Sequence, residues 1–439
     1  MRSRLFALLL LTALALVSAS GQTRVVETLH APTGINAIKH VIIIFQENRT
    51  TDNLFHGLKG ADTADYGINS KGQKIPLTPV KLANNYTLDH YHPDFLRMYD
   101  NGKMDGADLI PGDCGNNCPA NMQFKYVQKS DVLPYFQLAE QYAFGDRMFQ
   151  SNQGPSWPAH QFIIGATSAP TPTSVLFDGE DTFGIAQPAG HAGCGSPSYV
   201  FTYLIDPTGR ENMVTFPCFD HLTLMDLLDD KGLSWRYYTI SYDYIWTGPN
   251  AISHIYNGKD WANVIPQPKQ VLTDISSGHL ANVSWVIPTG SESDHPHGNN
   301  GSGPSWVASV VNAVGKSKYW DSTAIFVSWD DWGGWYDHVA PPIRNSYEYS
   351  FRVPLLVISP YAKPGYVSHV THDFSSIIKF TETAFGLPSL GFGDVYADDL
   401  TDCFNFTQKP LRFRTIKAPL KAEYFLNDNS PPTDPDDDD

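Results

Sequence analysis

Two short stretches of this chain put hard oxygen donors side by side. Glu47 and Asn48 stand at the head of Gln46-Glu47-Asn48-Arg49-Thr50-Thr51-Asp52-Asn53, and Asp330 and Asp331 at the head of Asp330-Asp331-Trp332-Gly333-Gly334-Trp335-Tyr336-Asp337-His338. These four side chains bring three negative charges, and carboxylates crowded together repel one another unless a cation or a proton offsets them. Oxygen donors favour magnesium, calcium, manganese or iron over a thiolate-loving ion. A lone Asp-Asp pair after a strand is ordinarily a solvated turn. Two acidic clusters, each following an apolar run, point instead to one divalent metal ion held by Glu47, Asn48, Asp330 and Asp331.

Ser156 is the candidate nucleophile. In Gln153-Gly154-Pro155-Ser156-Trp157-Pro158-Ala159-His160-Gln161-Phe162 it occupies the position of a helix cap, with Pro158 in the first turn. The same placement suits chemistry, because amides at a helix start favour an anion and a cation touching the hydroxyl would activate it. Histidines supply the third element. His295, in Asp294-His295-Pro296-His297, follows an apolar run and is the candidate to hold an anionic oxygen or protonate a leaving group. His160, one helical turn after Ser156, and His254 are candidate substrate contacts, and His338 is a weaker one.

These residues need elements that bring them together. The runs Val41–Phe45, Val283–Ile287, Ala324–Val327 and Val353–Ile358 are apolar throughout instead of alternating, which fits strands of a parallel sheet covered on both faces. Helical spacing falls between them, in Val307, Val310, Val311 and Val314, in Leu222–Leu228 and in Phe374–Phe385. Strands alternating with helices predict an α/β fold wound about one sheet, and ligands of such sheets sit at the carboxyl ends of the strands. Residues from about 62 to 118, rich in Gly, Asn, Asp and Pro, read as a loop-rich excursion over the sheet.

Composition narrows the function classes. Met1–Ser20 reads as a signal peptide, with two arginines, an apolar run from Leu5 to Val17 and small residues after it. Its loss takes Arg2 and Arg4 from the 30 basic residues, so 28 face the 46 acidic ones and the formal charge moves from −16 to −18. No later apolar run approaches the roughly 20 residues that span a bilayer. The expectation is a secreted or periplasmic protein with no transmembrane anchor and no nucleic-acid partner. A hydrophobic fraction of 42% supplies a large core, taken as a single domain over 21–429 followed by an acidic tail over 430–439. Of five cysteines, Cys114 and Cys118 are close enough for a local clip and Cys194 and Cys218 could form a second bridge, leaving Cys403. Spacing alone does not fix that connectivity. Zinc is not expected, since no cysteine-histidine set has the paired spacing of zinc sites.

The segment from Glu47 to Gly57 resembles the Glu-Asn-Arg opening of the phosphoesterase family that holds non-specific phospholipases C and AcpA-type acid phosphatases. Ser156-Trp-Pro-Ala-His-Gln-Phe162 is similar to that family's nucleophile segment, Asp294-His295-Pro296 to its Asp-His-Pro segment, and Asp330–Val339 to its Asp-Glu-x-Gly-Gly-x-Tyr-Asp-His-Val segment. The resemblance runs in order from about Lys39 to Leu387. It implies an alkaline-phosphatase-like α/β fold, with a central, mostly parallel sheet and helices on both faces. It implies hydrolysis of a phosphate-ester substrate through a phosphorylated Ser156, with Glu47, Asn48, Ser156, Asp330 and Asp331 around the metal. Serine at 156 and aspartate at 331 look more like the acid phosphatase branch than the phospholipase C branch, and Ala159 stands where the family segment has Asn.

Overall fold

The computed structural model describes residues 34–115, 118–184 and 191–431. The expected signal peptide over Met1–Ser20 lies outside them, as does the acidic tail apart from Ser430 and Pro431. Eight strands form one sheet: β1 (His40–Gln46), β2 (Ala143–Gly145), β3 (Trp235–Tyr238), β4 (Val264–Ile265), β5 (Val283–Val286), β6 (Thr323–Trp329), β7 (Leu355–Ile358) and β8 (Tyr366–Ser368). Their spatial order is β4-β3-β5-β1-β6-β7-β2-β8. β1 runs parallel to both neighbours, with Ile44 opposite Val286 on β5 and Val327 on β6. The three strands therefore end together, and the Asp330 amide donates to the Gln46 carbonyl at 2.9 Å one step past the ladder.

The apolar run Val353–Ile358 corrects the reading made from sequence. Its strand, β7, is antiparallel to both β6 and β2, while the other pairings in the sheet are parallel. An apolar run reports burial on two faces, and a strand of either direction inside a covered sheet meets that condition. The cover comes from six helices: α1 (Leu133–Gln141), α2 (Ser156–Gly165), α3 (Leu224–Asp230), α4 (Gln270–Ser277), α5 (Gly303–Gly315) and α6 (Phe374–Phe385). α2 packs with α3 and α6 in one layer, and α1 and α4 pack with α5 in the other. Phe45 and Phe326 meet α6 edge to face, their rings 4.9 and 5.0 Å from those of Phe374 and Phe380.

Residues 62–118 hold two antiparallel strand pairs, Tyr66–Ile68 with Lys74–Pro76 and Thr87–Leu88 with Gly112–Asp113, and a helix over His92–Tyr99. They contribute Phe95 and Met98 to an apolar cluster of their own with Trp332, Trp335 and Phe351, which pins the excursion to the segment after β6. Both cysteine pairs, Cys114–Cys118 and Cys194–Cys218, are bonded, and Cys403 is a buried free thiol. Among the described residues no helix is long and apolar enough to cross a membrane.

A buried arginine ties the acidic segments after β1 and β6 to each other. Arg352 donates Nε and Nη2 to the two carboxylate oxygens of Asp337 at 2.9 and 3.1 Å, and Nη1 to the carbonyls of Asp62 and Asp146 at 3.0 and 3.1 Å. Asp52 lies 3.5 Å from its Nη2 and also accepts from the backbone amide of His338 at 2.8 Å. His338 was a weak site candidate; its ring instead sits between Asp52 and Asp62, at 2.7 and 3.1 Å. Burial works against its charged form, but the hydrogen bond to Asp52 and the charges of Asp52 and Asp337 outweigh it and raise its pKa to about 9. Removing one member of a buried pair leaves the other charge uncompensated, at a cost of about 3–5 kcal/mol. Arg352→Leu should therefore lower unfolding stability by about that amount in denaturant titrations, and a loss below about 1 kcal/mol would mean that the network braces nothing.

Candidate active site

The strand ends deliver their carboxylates into one enclosed cluster. Glu47, Asn48, Asp330 and Asp331 follow directly from β1 and β6, and none is measurably exposed. Asn48 turns the chain out of the sheet in a left-handed conformation, φ 55°, an uncommon choice for a buried non-glycine residue. Its amide donates to Asp330 Oδ1 at 3.0 Å. Asp331 Oδ1 accepts from the Gly333 amide at 2.7 Å, and its Oδ2 accepts from Ser156 Oγ at 3.2 Å. Glycine is required at 333 and 334. Both have positive φ, and an added Cβ would lie 2.6 Å from the Asn48 carbonyl oxygen at 333 and 2.3 Å from Leu88 Cβ at 334.

The cluster has the chemistry of a cation site. Ligand atoms of Glu47, His160 and Asp330 lie within 4.8 Å of one another. Two buried oxygens, Asn48 Oδ1 and Asp330 Oδ2, have no hydrogen-bond partner, which is costly for buried polar atoms unless something else satisfies them. Burial, together with the neighbouring charge of Asp330, holds Asp331 well above the usual carboxylate range. A divalent cation offsets both penalties, and the donor set of carboxylates, an amide oxygen and a hydroxyl fits a hard ion.

Hydrogen bonds fix how the polar side chains present themselves. His90 Nδ1 faces the Leu88 carbonyl at 2.9 Å, so it carries the proton, and Nε2 accepts from Asn48 Nδ2 at 3.1 Å. The Asn48 amide thus uses its NH2 on His90 and keeps Oδ1 for a cation. His90 Nε2 also lies 3.5 Å from Asp331 Oδ2. His295 follows the same logic: Nδ1 faces the Pro296 carbonyl at 2.7 Å, which leaves Nε2 as the working atom. Arg49, fully buried, donates Nε and Nη2 to the Asp294 carbonyl at 2.9 and 2.7 Å and Nη2 to the Leu82 carbonyl at 3.0 Å. One side chain thereby joins the β1 turn, the excursion and the loop that carries His295. The Asp294 carboxylate points the other way, accepting from Tyr135 and Trp329 at 2.7 and 3.1 Å, and burial pushes it up to about 7.

Of the residues expected from sequence, Glu47, Asn48, Ser156, Asp330 and Asp331 come together, with His295 beside Asp331. Three expectations change. Ser156 is the first residue of α2, preceded by Pro155, and caps nothing, because its hydroxyl is turned to Asp331. His160 lies against Glu47, 3.3 Å from its Oε1, and 3.2 Å from the Tyr237 hydroxyl, so its ring is engaged with a carboxylate of the cluster. His254 is held between Asp220 and Asp226, at 2.5 and 2.8 Å, in contact with none of the cluster. The Trp157 amide at the start of α2 is taken by Asp181 Oδ1 at 2.7 Å, so that amide is not open to an anion. Sequence reading missed His90. The only signal was its place in Asp89-His90-Tyr91-His92, inside the loop-rich excursion over the sheet.

The chain is 24% identical over 446 residues to "Phospholipase C B" of Mycobacterium tuberculosis, covering 86% of this chain and 80% of that protein. It is 23% identical over 441 residues to "Non-hemolytic phospholipase C" of Pseudomonas aeruginosa, covering 84% of this chain but only 57% of that longer protein. A solved structure from Vibrio parahaemolyticus, described as a protein in the alkaline phosphatase superfamily, overlays with a TM-score of 0.39 at 12% identity over 87% of this chain and 72% of that one. The model of the phosphoesterase family matches residues 38–388, which takes in every residue of the cluster, and the chain belongs to that family.

Proposed function

We propose that this phosphoric ester hydrolase cleaves its substrate in two steps through a phosphorylated Ser156, and that phosphomonoesters are its principal substrates. The observation that carries the proposal is the contact of Ser156 Oγ with Asp331 Oδ2, at 3.2 Å, inside a cluster of buried oxygen donors. Ser156 attacks phosphorus in line with the departing alcohol, and Asp331 Oδ2 is the acceptor the hydroxyl already addresses. His295, with Nδ1 held by Pro296, presents Nε2 to bind a non-bridging oxygen or to hand a proton to the leaving oxygen. His90 keeps the Asn48 amide turned, and His160 keeps Glu47 in place. Glu47, Asn48, Ser156, Asp330 and Asp331 would hold one divalent ion, magnesium, calcium, manganese or iron. When bound, that ion supplies Lewis acidity toward the hydroxyl and the phosphoryl charge.

One feature supports phosphomonoesters, and a second favours a singly charged substrate of either kind. Ser156 and His295 are each only 1% exposed, which suits a small substrate. Asp181, at the Trp157 amide, adds negative charge next to the nucleophile. An incoming group with a single charge is then favoured, as a phosphomonoester has below its second pKa of about 6, which supports work at acidic pH. A phosphodiester also carries one charge. The phospholipase C names of the relatives therefore support a second reading, cleavage of a phosphatidylcholine-type diester by the same residues. Processing of the export segment would place either activity outside the cytoplasm.

Ser156→Ala should lower kcat on p-nitrophenyl phosphate by on the order of 10⁴-fold or more while leaving the unfolding transition in place; a rate near that of the parent would rule out the covalent step. Parallel rates on p-nitrophenyl phosphate and phosphatidylcholine decide between the two substrate readings, and faster turnover of the lipid would overturn the monoester assignment. Prolonged chelation should abolish hydrolysis, with recovery on adding back a divalent ion. Full activity in a protein that elemental analysis finds free of metal would contradict the cation.

A further inference from the structure

A second group of metal-binding side chains lies outside the active-site cluster. His372, Asp402 and Cys403 bring a ring nitrogen, a carboxylate oxygen and a thiol sulfur within 4.8 Å of one another. They come from two separate parts of the chain: His372 from the loop between β8 and α6, and Asp402 and Cys403 from a short 3-10 turn, Thr401–Cys403. His372 and Cys403 are fully buried. Asp402 Oδ2 accepts from Ser368 and, at 3.2 Å, from the Tyr366 hydroxyl, whereas Asp402 Oδ1 is a buried oxygen with no hydrogen-bond partner. That oxygen lies 3.6 Å from His372 Nε2. On the other side of the ring, Nδ1 is 3.0 Å from Asp398 Oδ1.

This resembles the layout of a metal-bound histidine, in which one ring nitrogen faces the ion and a carboxylate stands against the other. Thiolate, imidazole and carboxylate are together a zinc donor set, unlike the all-oxygen set beside Ser156. We propose that His372, Asp402 and Cys403 form a second, structural metal site for Zn²⁺, with Asp398 orienting His372. Ser368 Oγ, 3.0 Å from His372 Nε2, is the nearest further oxygen for a fourth ligand. The paired sequence spacing of zinc sites is absent because the fold, rather than a local motif, assembles the set.

The site would act as a clasp. It would join the turn at Thr401–Cys403 to the edge of the sheet, where the Lys363 amide already donates to the Cys403 carbonyl at 2.9 Å. The carbonyl of His372 accepts from the Phe149 amide at 2.8 Å, and the adjacent Asp373 carboxylate accepts from Ser151 Oγ at 2.9 Å. The clasp therefore sits behind the segment that leads into Ser156.

Cobalt separates the two sites, because only a thiolate ligand gives a sulfur-to-cobalt charge-transfer band in the near ultraviolet. With both disulfides intact, Cys403 is the one free thiol. Titrating metal-free full-length protein with Co²⁺ should raise this band to saturation at one equivalent per chain, and Zn²⁺ should displace it. The band should be lost in Cys403→Ser and in His372→Gln, and kept in Asp331→Asn, whose defect lies in the oxygen cluster. Zn²⁺ should also raise the Tm of Asp331→Asn but not that of the double variant Asp331→Asn/Cys403→Ser. No band in the parent protein at saturating Co²⁺, or a band that survives Cys403→Ser, overturns the site. That measurement is independent of whether Ser156 is the nucleophile.

Discussion

Glu47, Asp330 and Asp331 cannot all be ionised, buried and adjacent without a positive charge among them. Carboxylates repel at this range, and removing each from water costs several kcal/mol even after relaxation. The fold nevertheless forces them together, because the strands that carry them are neighbours in register and end at the same level. What surrounds them reads as a response to that constraint. The Asn48 and Gly333 amides each donate to a carboxylate oxygen, and the Asn48 oxygen is kept free of other partners. A hard divalent ion would satisfy the remaining demand, and the Ser156 hydroxyl, 3.2 Å from Asp331 Oδ2, belongs to the same cluster.

Around this centre lie braces of a different kind. Arg49 uses backbone carbonyls, reaching Asp294 and Leu82, so that the loop with His295 and the excursion with His90 are set by one guanidinium. Arg352 uses carboxylates and balances Asp337, Asp52 and Asp146 farther along the same two segments. Burial lowers the pKa of Arg49 to about 10, whereas the acidic neighbours of Arg352 more than offset its burial. The first brace aligns the loops around the cluster; the second holds the strand-end segments against their own charge.

The parts of this arrangement that were legible in the sequence are those written in local composition. Apolar runs gave the strands, because strands covered on two faces leave no polar positions. The oxygen donors after β1 and β6 gave the cluster, because no solvated turn needs such donors at two neighbouring strand ends. Direction was not legible, and β7 turned out antiparallel. Roles that depend on a distant partner were also hidden. His254 looks like any site histidine until Asp220 and Asp226 close on it, and His90 looks like loop until the excursion folds back on Asn48. Ser156 has the sequence context of a cap, yet its hydroxyl belongs to Asp331, 175 positions away. Nothing local to Trp157 announces that Asp181 occupies its amide.

The central claim is that residues following β1 and β6 share one cation with the hydroxyl at the start of α2. Crystals of the protein grown with Mn²⁺ test it most directly, through the anomalous difference density. The account predicts a strong peak enclosed by Glu47, Asn48, Asp330 and Asp331 and in contact with Ser156 Oγ. A well-ordered cluster with no peak there at saturating Mn²⁺, or a peak that leaves Ser156 without contact, would contradict it.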